Sequence, residues 1–488
     1  MIKNFKWLLL VSLTFAACTN DDTAPVDVPV SAGTADFSKY VSLGNSLTAG
    51  YSDGALFKRG QEGSYPNLLA QQFAQVGGGA FTIPFCGDDN LGGLLLGGTP
   101  IQGTRLYFNG AAPVNVPGTP VTEITNLLTG PFNNMGVPGA KSYHLAAPGY
   151  GNVAGVPTGQ ANPYYARFAS SPSSRIIDDA VAQNATFFSL WIGNNDVLGY
   201  ATSGGAGVNQ LGNINPATYG ANDITDPGVF ANVYSGLVDA MTANGAKGVV
   251  ANIPYVTTIP FFTTVPFNPV PLDAATAAQL SAGYAAYNGG LAAAQNAGLI
   301  SAAEKAQRTI TFQAGNNAVV MVDSYLTSLA LLGLPSYRQA TAADLMVLPS
   351  RSFIGTAVGG NPQQVNGVSV PLADNWVLSK DEIAEIKVAV DAYNASIKSI
   401  AEAKGLAFVD ANAVMSQVFN GGIRYGNYHL SAGYVTGGAF SMDGVHPSAR
   451  GAALIANKFA EAINAKYGST FKPLDLAEYP IQFPAVIN

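Results

Sequence analysis

Three polar residues of this 488-residue chain have the types needed for nucleophilic catalysis. Ser46 lies in the segment Gly-Asn-Ser-Leu-Thr-Ala-Gly (residues 44–50), directly after a short apolar run that predicts a strand. Asp443 stands three residues before His446 near the other end of the chain, a spacing that lets the carboxylate fold back onto the ring. A histidine oriented in this way can accept a proton from a serine hydroxyl. Taken singly, each motif has a simpler interpretation, with Ser46 as a helix cap and the Asp–His pair as surface residues.

Two further turns carry groups that could donate hydrogen bonds into a site. Gly139 lies in the glycine-bearing turn at residues 134–142, and Asn195 follows the continuous apolar run Phe187–Ile192. Parallel sheets bind ligands at the carboxyl ends of their strands, so we expect Ser46 and Asn195 at one rim. By itself, each turn is typical of an ordinary loop.

The elements that must position these residues alternate between strands and helices. Apolar runs predict strands at 39–43, 187–192, 247–253 and 406–410, and periodic patterns predict helices at 64–73, 229–244, 379–404 and 449–467. Ser379 and Glu382 form a capping box at the clearest of these helices. This alternation predicts a three-layer α/β/α sandwich with a mainly parallel sheet. We expect a single domain over 37–470, with long insertions near 77–133, 200–227 and 260–370, followed by a tail at 471–488.

Together, and in this chain order, the four motifs resemble the SGNH (GDSL-type) ester hydrolase family. The resemblance implies that Ser46 is the nucleophile and that Asp443 and His446 complete the triad. It also implies an oxyanion hole made by the backbone N–H groups of Ser46 and Gly139 and the amide of Asn195. The implied reaction is ester hydrolysis through an acyl-enzyme, and neither a cofactor nor a metal is implied.

Two residues near Ser46 differ from the motifs of serine hydrolase families. Asn45 stands where the family usually has an aspartate, which alters the hydrogen bonding around the nucleophile but leaves the triad complete. Thr48 occupies the place where the Gly-x-Ser-x-Gly elbow of α/β-hydrolases needs glycine, which disfavours that fold. The resemblance extends from about residue 37 to residue 467 but depends on four short segments.

The substrate is less constrained by the sequence than the reaction. The segment Tyr255–Leu272 is apolar, aromatic and rich in proline, and it could line an acyl-chain groove, form a lid or pack on the core. A lipase-like or general carboxylesterase activity on small-molecule, lipid or glycan esters is the first expectation. The alternatives are a polysaccharide O-acetyl esterase, or a non-catalytic surface lipoprotein that binds glycan or a partner.

The first 17 residues have the pattern of a secretory signal, with two lysines, an apolar run too short to span a membrane and a pair of small residues. Cys18 follows directly, which resembles a bacterial lipoprotein signal and implies lipidation of that cysteine. Residues 18–36 then predict a flexible tether. We therefore expect an extracytoplasmic protein anchored to a bacterial membrane, at the outer membrane or cell surface. An ordinary cleaved signal is the alternative.

The composition excludes several other classes of protein. Hydrophobic residues make up 48% of the chain and charged residues 11%, which is incompatible with a disordered protein. The net charge of −7 and the lack of basic runs argue against nucleic-acid binding. With two cysteines and three histidines, the chain cannot form a disulfide scaffold or a cysteine-rich zinc site. We expect Cys86 to be a buried thiol.

Overall fold

A parallel sheet forms the centre of the computed structural model, which describes residues 29–87 and 90–487. Its five strands are β1 (Tyr40–Gly44), β2 (Asn134–Gly136), β3 (Phe187–Trp191), β4 (Lys247–Ala251) and β5 (Ala407–Val409). They are arranged in the order β5-β4-β3-β1-β2, and every neighbouring pair is parallel. The predicted signal sequence, including Cys18, lies outside the described residues.

The central strands are buried on both faces of the sheet. Every residue of β1 and β3 is buried, and the two strands pair from Tyr40 opposite Phe187 to Gly44 opposite Trp191. Strands that are buried on both faces are expected to have continuous apolar sequences rather than alternating ones. This is the pattern from which the parallel sheet was predicted.

Helices cover both faces of the sheet and complete the predicted three-layer sandwich. In chain order the helices are α1 (Ser46–Ala49), α2 (Lys58–Glu62), α3 (Tyr65–Ala74), α4 (Ile176–Val181), α5 (Asn195–Thr202), α6 (Pro227–Thr242), α7 (Pro260–Thr263), α8 (Ala274–Gly283), α9 (Ala285–Asn296), α10 (Ala302–Arg308), α11 (Ser350–Phe353), α12 (Lys380–Lys404), α13 (Ala411–Phe419) and α14 (Ala449–Tyr467). Helices α3 and α14 pack together on one face, and α4, α6 and α12 on the other. The α/β/α prediction is confirmed.

The best-predicted helices have strong end signals. Helix α12 begins with the expected capping box, in which the Ser379 N–H donates to Glu382 Oε2 at 2.7 Å and the Glu382 N–H donates to Ser379 Oγ at 3.4 Å. Ser64 is the N-cap residue of α3 as expected, but its hydroxyl makes no hydrogen bond within the described residues. The structure also contains elements that the sequence patterns did not predict, among them β2 and α13. Both contribute to the candidate site.

The segments expected to be insertions contain small sheets and short helices. Residues 94–115 form two antiparallel hairpins, Leu94–Leu96 with Thr99–Gln102 and Leu106–Phe108 with Pro113–Asn115. The segment near 260–370 holds α8 to α11, several short antiparallel strand pairs and an apolar cluster of its own, separate from the main core. The exact domain boundaries stay predictions. Among the described residues, no helix is both long and apolar enough to cross a bilayer.

Candidate active site

The strand order creates a natural position for a site between β1 and β3. Strand β2 pairs with one side of β1, and β3, β4 and β5 follow in chain order on the other side of β1. In open parallel sheets, the ends of the two strands at such a reversal are separated by a crevice. Ser46 follows β1, and Asn195 follows β3. These two residues lie at the same edge of the sheet, as expected from the sequence.

Ser46, His446 and Asp443 form a continuous hydrogen-bonded chain. His446 Nε2 lies 2.9 Å from Ser46 Oγ, and His446 Nδ1 lies 2.8 Å from Asp443 Oδ2. Ser46 is 6% exposed, so the serine hydroxyl is sheltered but still reaches the cavity described below. This arrangement can transfer a proton from the serine hydroxyl to the imidazole while the carboxylate holds the ring in place.

The Asp443 carboxylate is held in its ionised form by its surroundings. Burial by itself would raise its pKa, but the positive charge of His446 and hydrogen bonds to the carboxylate lower the pKa to about 2. Oδ1 accepts from the backbone N–H groups of His446 at 2.9 Å and Val445 at 2.8 Å, and Oδ2 accepts from the Gly54 N–H at 2.9 Å. A carboxylate with this many donors stays charged throughout the neutral range.

The turn that carries Ser46 depends on its neighbours. Asn45 is the N-cap residue of α1, where its Oδ1 accepts from the Leu47 N–H at 3.0 Å. Its Nδ2 donates to Asn194 Oδ1 at 3.3 Å, a contact that an ionised aspartate could not make. Asn45 therefore ties the serine turn to the Asn194–Asn195 turn. Gly44 has no room for a side chain, because an added Cβ would lie 2.5 Å from the Trp191 carbonyl oxygen.

The two predicted hydrogen-bond donors lie on segments that are joined to each other. Asn195 Nδ2 donates to the Ala140 carbonyl at 2.9 Å and has a second hydrogen left for a ligand. Gly139 is exposed and adopts a φ of +82°, which favours glycine. Asn195 lines the same cavity as Ser46, whereas Gly139 is outside the lining of that cavity.

Asp196 is a supporting residue that the sequence reasoning missed. It is fully buried, and its carboxylate accepts from the Ser142 N–H at 2.8 Å and from the Ser142 hydroxyl at 2.6 Å. Burial raises its pKa, and the hydrogen bonds from Ser142 oppose that shift. These contacts hold the turn that contains Gly139 against the start of α5. The sequence feature that could have indicated this role is an acidic residue next to Asn195 at the end of an apolar strand.

The other two histidines lie away from the triad. His144 stacks on Tyr150 with a ring-centroid separation of 4.3 Å, and its Nδ1 accepts from the Lys141 N–H. Burial, with a smaller contribution from the Lys141 charge, lowers the pKa of His144 to about 3, so this ring is neutral. His429 lies in a hairpin and its Nε2 contacts the Gly421 carbonyl.

An apolar cavity of about 130 Å³ opens beside Ser46 and His446. Its walls come from the strand ends, from the segment after β4, from α13 and from α14. The main apolar lining residues are Trp191, Val256, Ile259, Val414, Met415 and Leu454.

The segment Tyr255–Leu272 divides between two of the three roles considered for it. Val256 and Ile259 line the cavity, and the later residues Phe262 and Val270 are buried in the apolar core clusters. The first part of the segment therefore supplies a cavity wall, and the remainder packs against the protein.

Other chemical groups are sparse in the part of the chain that the structure describes. Within residues 29–87 and 90–487, no cluster of three or more His, Cys, Asp or Glu side chains could hold a metal ion. Cys86 is buried, as expected, and forms no disulfide with another described residue.

Comparisons with known proteins give only distant similarities. No protein-family model and no curated protein matches the chain. Among solved structures, LAE5, an alpha/beta hydrolase from the metagenome of Lake Arreo, is 11% identical with a TM-score of 0.33, and the match covers 88% of this chain and 96% of that one. A catalytic mutant of the acetylxylan esterase Axe2 from Geobacillus stearothermophilus is 11% identical with a TM-score of 0.32, over 89% and 97%. An extracellular lipase from Streptomyces rimosus is 13% identical with a TM-score of 0.28, over 88% and 98%. At this level of similarity the assignment of function depends on the site itself.

Proposed function

We propose that this protein is a serine ester hydrolase of the SGNH (GDSL) type that cleaves carboxylic esters through an acyl-enzyme. The observation that carries the proposal is the continuous contact from Ser46 Oγ through the His446 ring to the Asp443 carboxylate. If the Asp–His pair were only a surface pair, its contact with a sheltered serine 400 positions away in the chain would be unexplained. The position of that serine at the carboxyl end of β1 adds further support.

The first half of the proposed reaction forms the acyl-enzyme. His446 Nε2 accepts the proton of Ser46 Oγ as the oxygen attacks the ester carbonyl, and the carbonyl electron pair moves onto its oxygen. The resulting oxyanion accepts hydrogen bonds from the backbone N–H groups of Ser46 and Gly139 and from Asn195 Nδ2. When this intermediate collapses, the bond to the alcohol oxygen breaks and the departing oxygen takes the proton from His446.

The second half releases the acid and restores the enzyme. Water attacks the acyl-enzyme carbonyl while His446 accepts a proton from the water. The second tetrahedral intermediate then expels Ser46 Oγ, which recovers its proton from His446. Asp443 stays ionised throughout and stabilises the imidazolium that forms in both halves, consistent with its lowered pKa.

The apolar cavity favours esters with an apolar acyl group longer than acetyl. An apolar protein cavity of ~150 Å³ holds benzene, so a cavity of this size accommodates roughly six carbon atoms. An acetyl group would leave most of the apolar lining without contacts. We therefore favour a carboxylesterase or lipase-like enzyme over a polysaccharide O-acetyl esterase. The complete proton-transfer chain likewise disfavours a binding protein without turnover.

A matched set of p-nitrophenyl esters tests the proposal. Purified full-length protein is assayed with acyl groups from acetyl to palmitoyl, beside Ser46→Ala and Ser64→Ala. Ser64 is also a buried serine, but its hydroxyl makes no hydrogen bond within the described residues and it is outside the proposed site. The proposal requires that Ser46→Ala abolishes hydrolysis while Ser64→Ala retains most of it. No hydrolysis of any ester by the folded wild-type protein would favour the binding protein.

For location, we propose an extracytoplasmic enzyme attached to a bacterial membrane through lipidated Cys18. The support comes from the sequence, in which Cys18 directly follows a signal-like segment. When the full-length chain is expressed in a Gram-negative host, the wild-type protein should enter the detergent phase on Triton X-114 partitioning. Cys18→Ser should remain in the aqueous phase. Identical partitioning of the two proteins would contradict lipidation.

A further inference from the structure

A four-residue segment directly after the serine turn contacts the loop that carries the acid and base. This segment, Tyr51–Gly54, lies against residues 441–447, and each of its members contributes at least one contact. The Ser52 hydroxyl donates to the Pro447 carbonyl at 3.1 Å, and the Gly54 N–H donates to Asp443 Oδ2 at 2.9 Å. The Tyr51 ring packs on the His446 ring with centroids 4.6 Å apart. The remaining member, Asp53, makes the most extensive contacts.

Asp53 holds the loop from both its backbone and its side chain. Its N–H donates to Ser441 Oγ at 3.0 Å, and its Oδ1 accepts from the Met442 N–H at 2.9 Å. The Ser441 hydroxyl in turn donates to Asp443 Oδ1 at 3.1 Å. Two hydrogen bonds from Asp53 therefore fix the two residues that precede Asp443.

Two features of Asp53, its backbone conformation and the burial of its carboxyl group, are unfavourable for the stability of the folded protein. Its φ is +53°, in the left-handed region that residues other than glycine adopt uncommonly, although aspartate and asparagine adopt it more often than most. Asp53 is 2% exposed, and its carboxyl group is close enough to Asp443 to feel the negative charge of that carboxylate. Burial raises the pKa of Asp53 to about 7, although the hydrogen bond from Met442 opposes the shift. Strained backbone and poorly solvated carboxylates are found most often at functional sites.

Several charged groups surround this carboxyl group. The charge of Asp443 raises the pKa of Asp53, and the charges of Arg105 and His446 lower it. On the far side of the loop, the Tyr434 hydroxyl donates to the Met442 carbonyl. An ionised Asp53 and a protonated His446 therefore stabilise each other.

We propose that Asp53 is a positioning residue, which fixes residues 441–442 and so holds the Asp443 carboxylate against His446 and, through that ring, within reach of Ser46. It touches no reacting atom. The inference builds on the proposed ester hydrolase function. Asp53 is a buried carboxylate outside the proton-transfer chain, and this positioning role explains its place beside the catalytic loop.

Two substitutions at this position separate charge from hydrogen bonding and leave the positive φ tolerated. Asp53→Asn keeps an oxygen acceptor for the Met442 N–H and tolerates the positive φ, but it removes the charge. Asp53→Gly also tolerates that φ, but it removes the acceptor as well. Both variants are measured in full-length protein for kcat and KM on a p-nitrophenyl ester and for melting temperature.

Asp53→Gly should lower kcat about 10–100-fold with little change in KM, because small displacements of catalytic groups have effects of this size. Asp53→Asn should recover most of that loss. A merely structural role would lower the melting temperature without a selective loss of kcat that asparagine restores.

The inference is overturned if Asp53→Gly has the wild-type kcat, or if both variants lose activity in proportion to their melting temperatures with no recovery of kcat in Asp53→Asn. Either result would leave wild-type hydrolysis and its loss in Ser46→Ala unaffected. A folded wild-type protein that hydrolyses no ester would instead contradict the proposed function. The two failures are therefore distinguishable.

Discussion

Ser46 Oγ and His446 Nε2 lie 2.9 Å apart although the two residues are separated by 400 positions in the chain. The sheet places Ser46 at the end of β1, its first strand, and His446 lies shortly before α14, which packs against β4 and β5. The contact therefore depends on the whole sandwich being folded. We expect every substitution that shifts this distance to reduce turnover before it reduces substrate binding.

Loss of the Asn195 amide tests the proposed oxyanion hole. Asn195→Ala and Asn195→Asp both remove the Nδ2 donor, and Asn195→Asp keeps the shape of the side chain. Removing one such donor is expected to lower kcat about 10²–10³-fold, equivalent to ~2.7–4 kcal/mol of transition-state stabilisation, with a much smaller effect on KM. Steady-state kinetics and melting curves measure the two effects separately. Near-wild-type turnover in both variants would show that Asn195 is not an oxyanion donor.

The cavity predicts how the rate depends on acyl-chain length. Burial of each methylene group contributes about 0.8 kcal/mol, so kcat/KM should rise roughly fourfold per added carbon up to about six carbons and then level off or fall. Val414→Phe should shift this optimum to shorter chains by filling space beside α13. Ala413→Phe is the matched control, because Ala413 is exposed on the same helix and does not line the cavity. An acetyl optimum in the wild-type protein would favour the O-acetyl esterase alternative.

The ionisation of Asp443 predicts a specific loss of stability in acid. Its pKa of about 2 in the folded protein is below the ordinary aspartate value, so its contribution is present above about pH 4 and is lost as the pH falls through 2. The difference in free energy of unfolding between wild type and Asp443→Asn should include about 2 kcal/mol from this source at pH 6, with about half of it gone by pH 3. Urea denaturation at several pH values measures the difference. A difference that does not change with pH would contradict an ionised, hydrogen-bonded Asp443.

The sequence predicted the layered architecture because the signals for it are local and strong. The buried strands β1 and β3 are continuous apolar runs, and α12 begins with a capping box that the structure contains. The adjacency of the Ser46 and Asn195 turns follows from the rule that ligands bind at the carboxyl ends of parallel strands. Strand order was not predicted, because nothing local specifies which strands are neighbours.

Other parts of the site have no local signature. Strand β2 has only three residues, Asn134–Gly136, which is too short for a periodic pattern, and the sequence interpretation treated it as part of a turn. The role of Asp53 depends on contacts with Ser441 and Met442, almost 390 positions away, and no spacing rule connects such segments. The apolar cavity likewise forms only when α13 and α14 meet beside Ser46.

Covalent capture of the nucleophile tests whether Ser46 is the activated serine. Purified full-length protein is treated with a fluorophosphonate, which phosphonylates an activated serine, and the modified residue is located by peptide mass spectrometry. We expect one adduct on Ser46, formed in step with the loss of p-nitrophenyl ester hydrolysis and absent from Ser46→Ala and His446→Ala. An unmodified Ser46 in a folded protein, or an adduct on another serine that accompanies the loss of hydrolysis, would contradict this expectation.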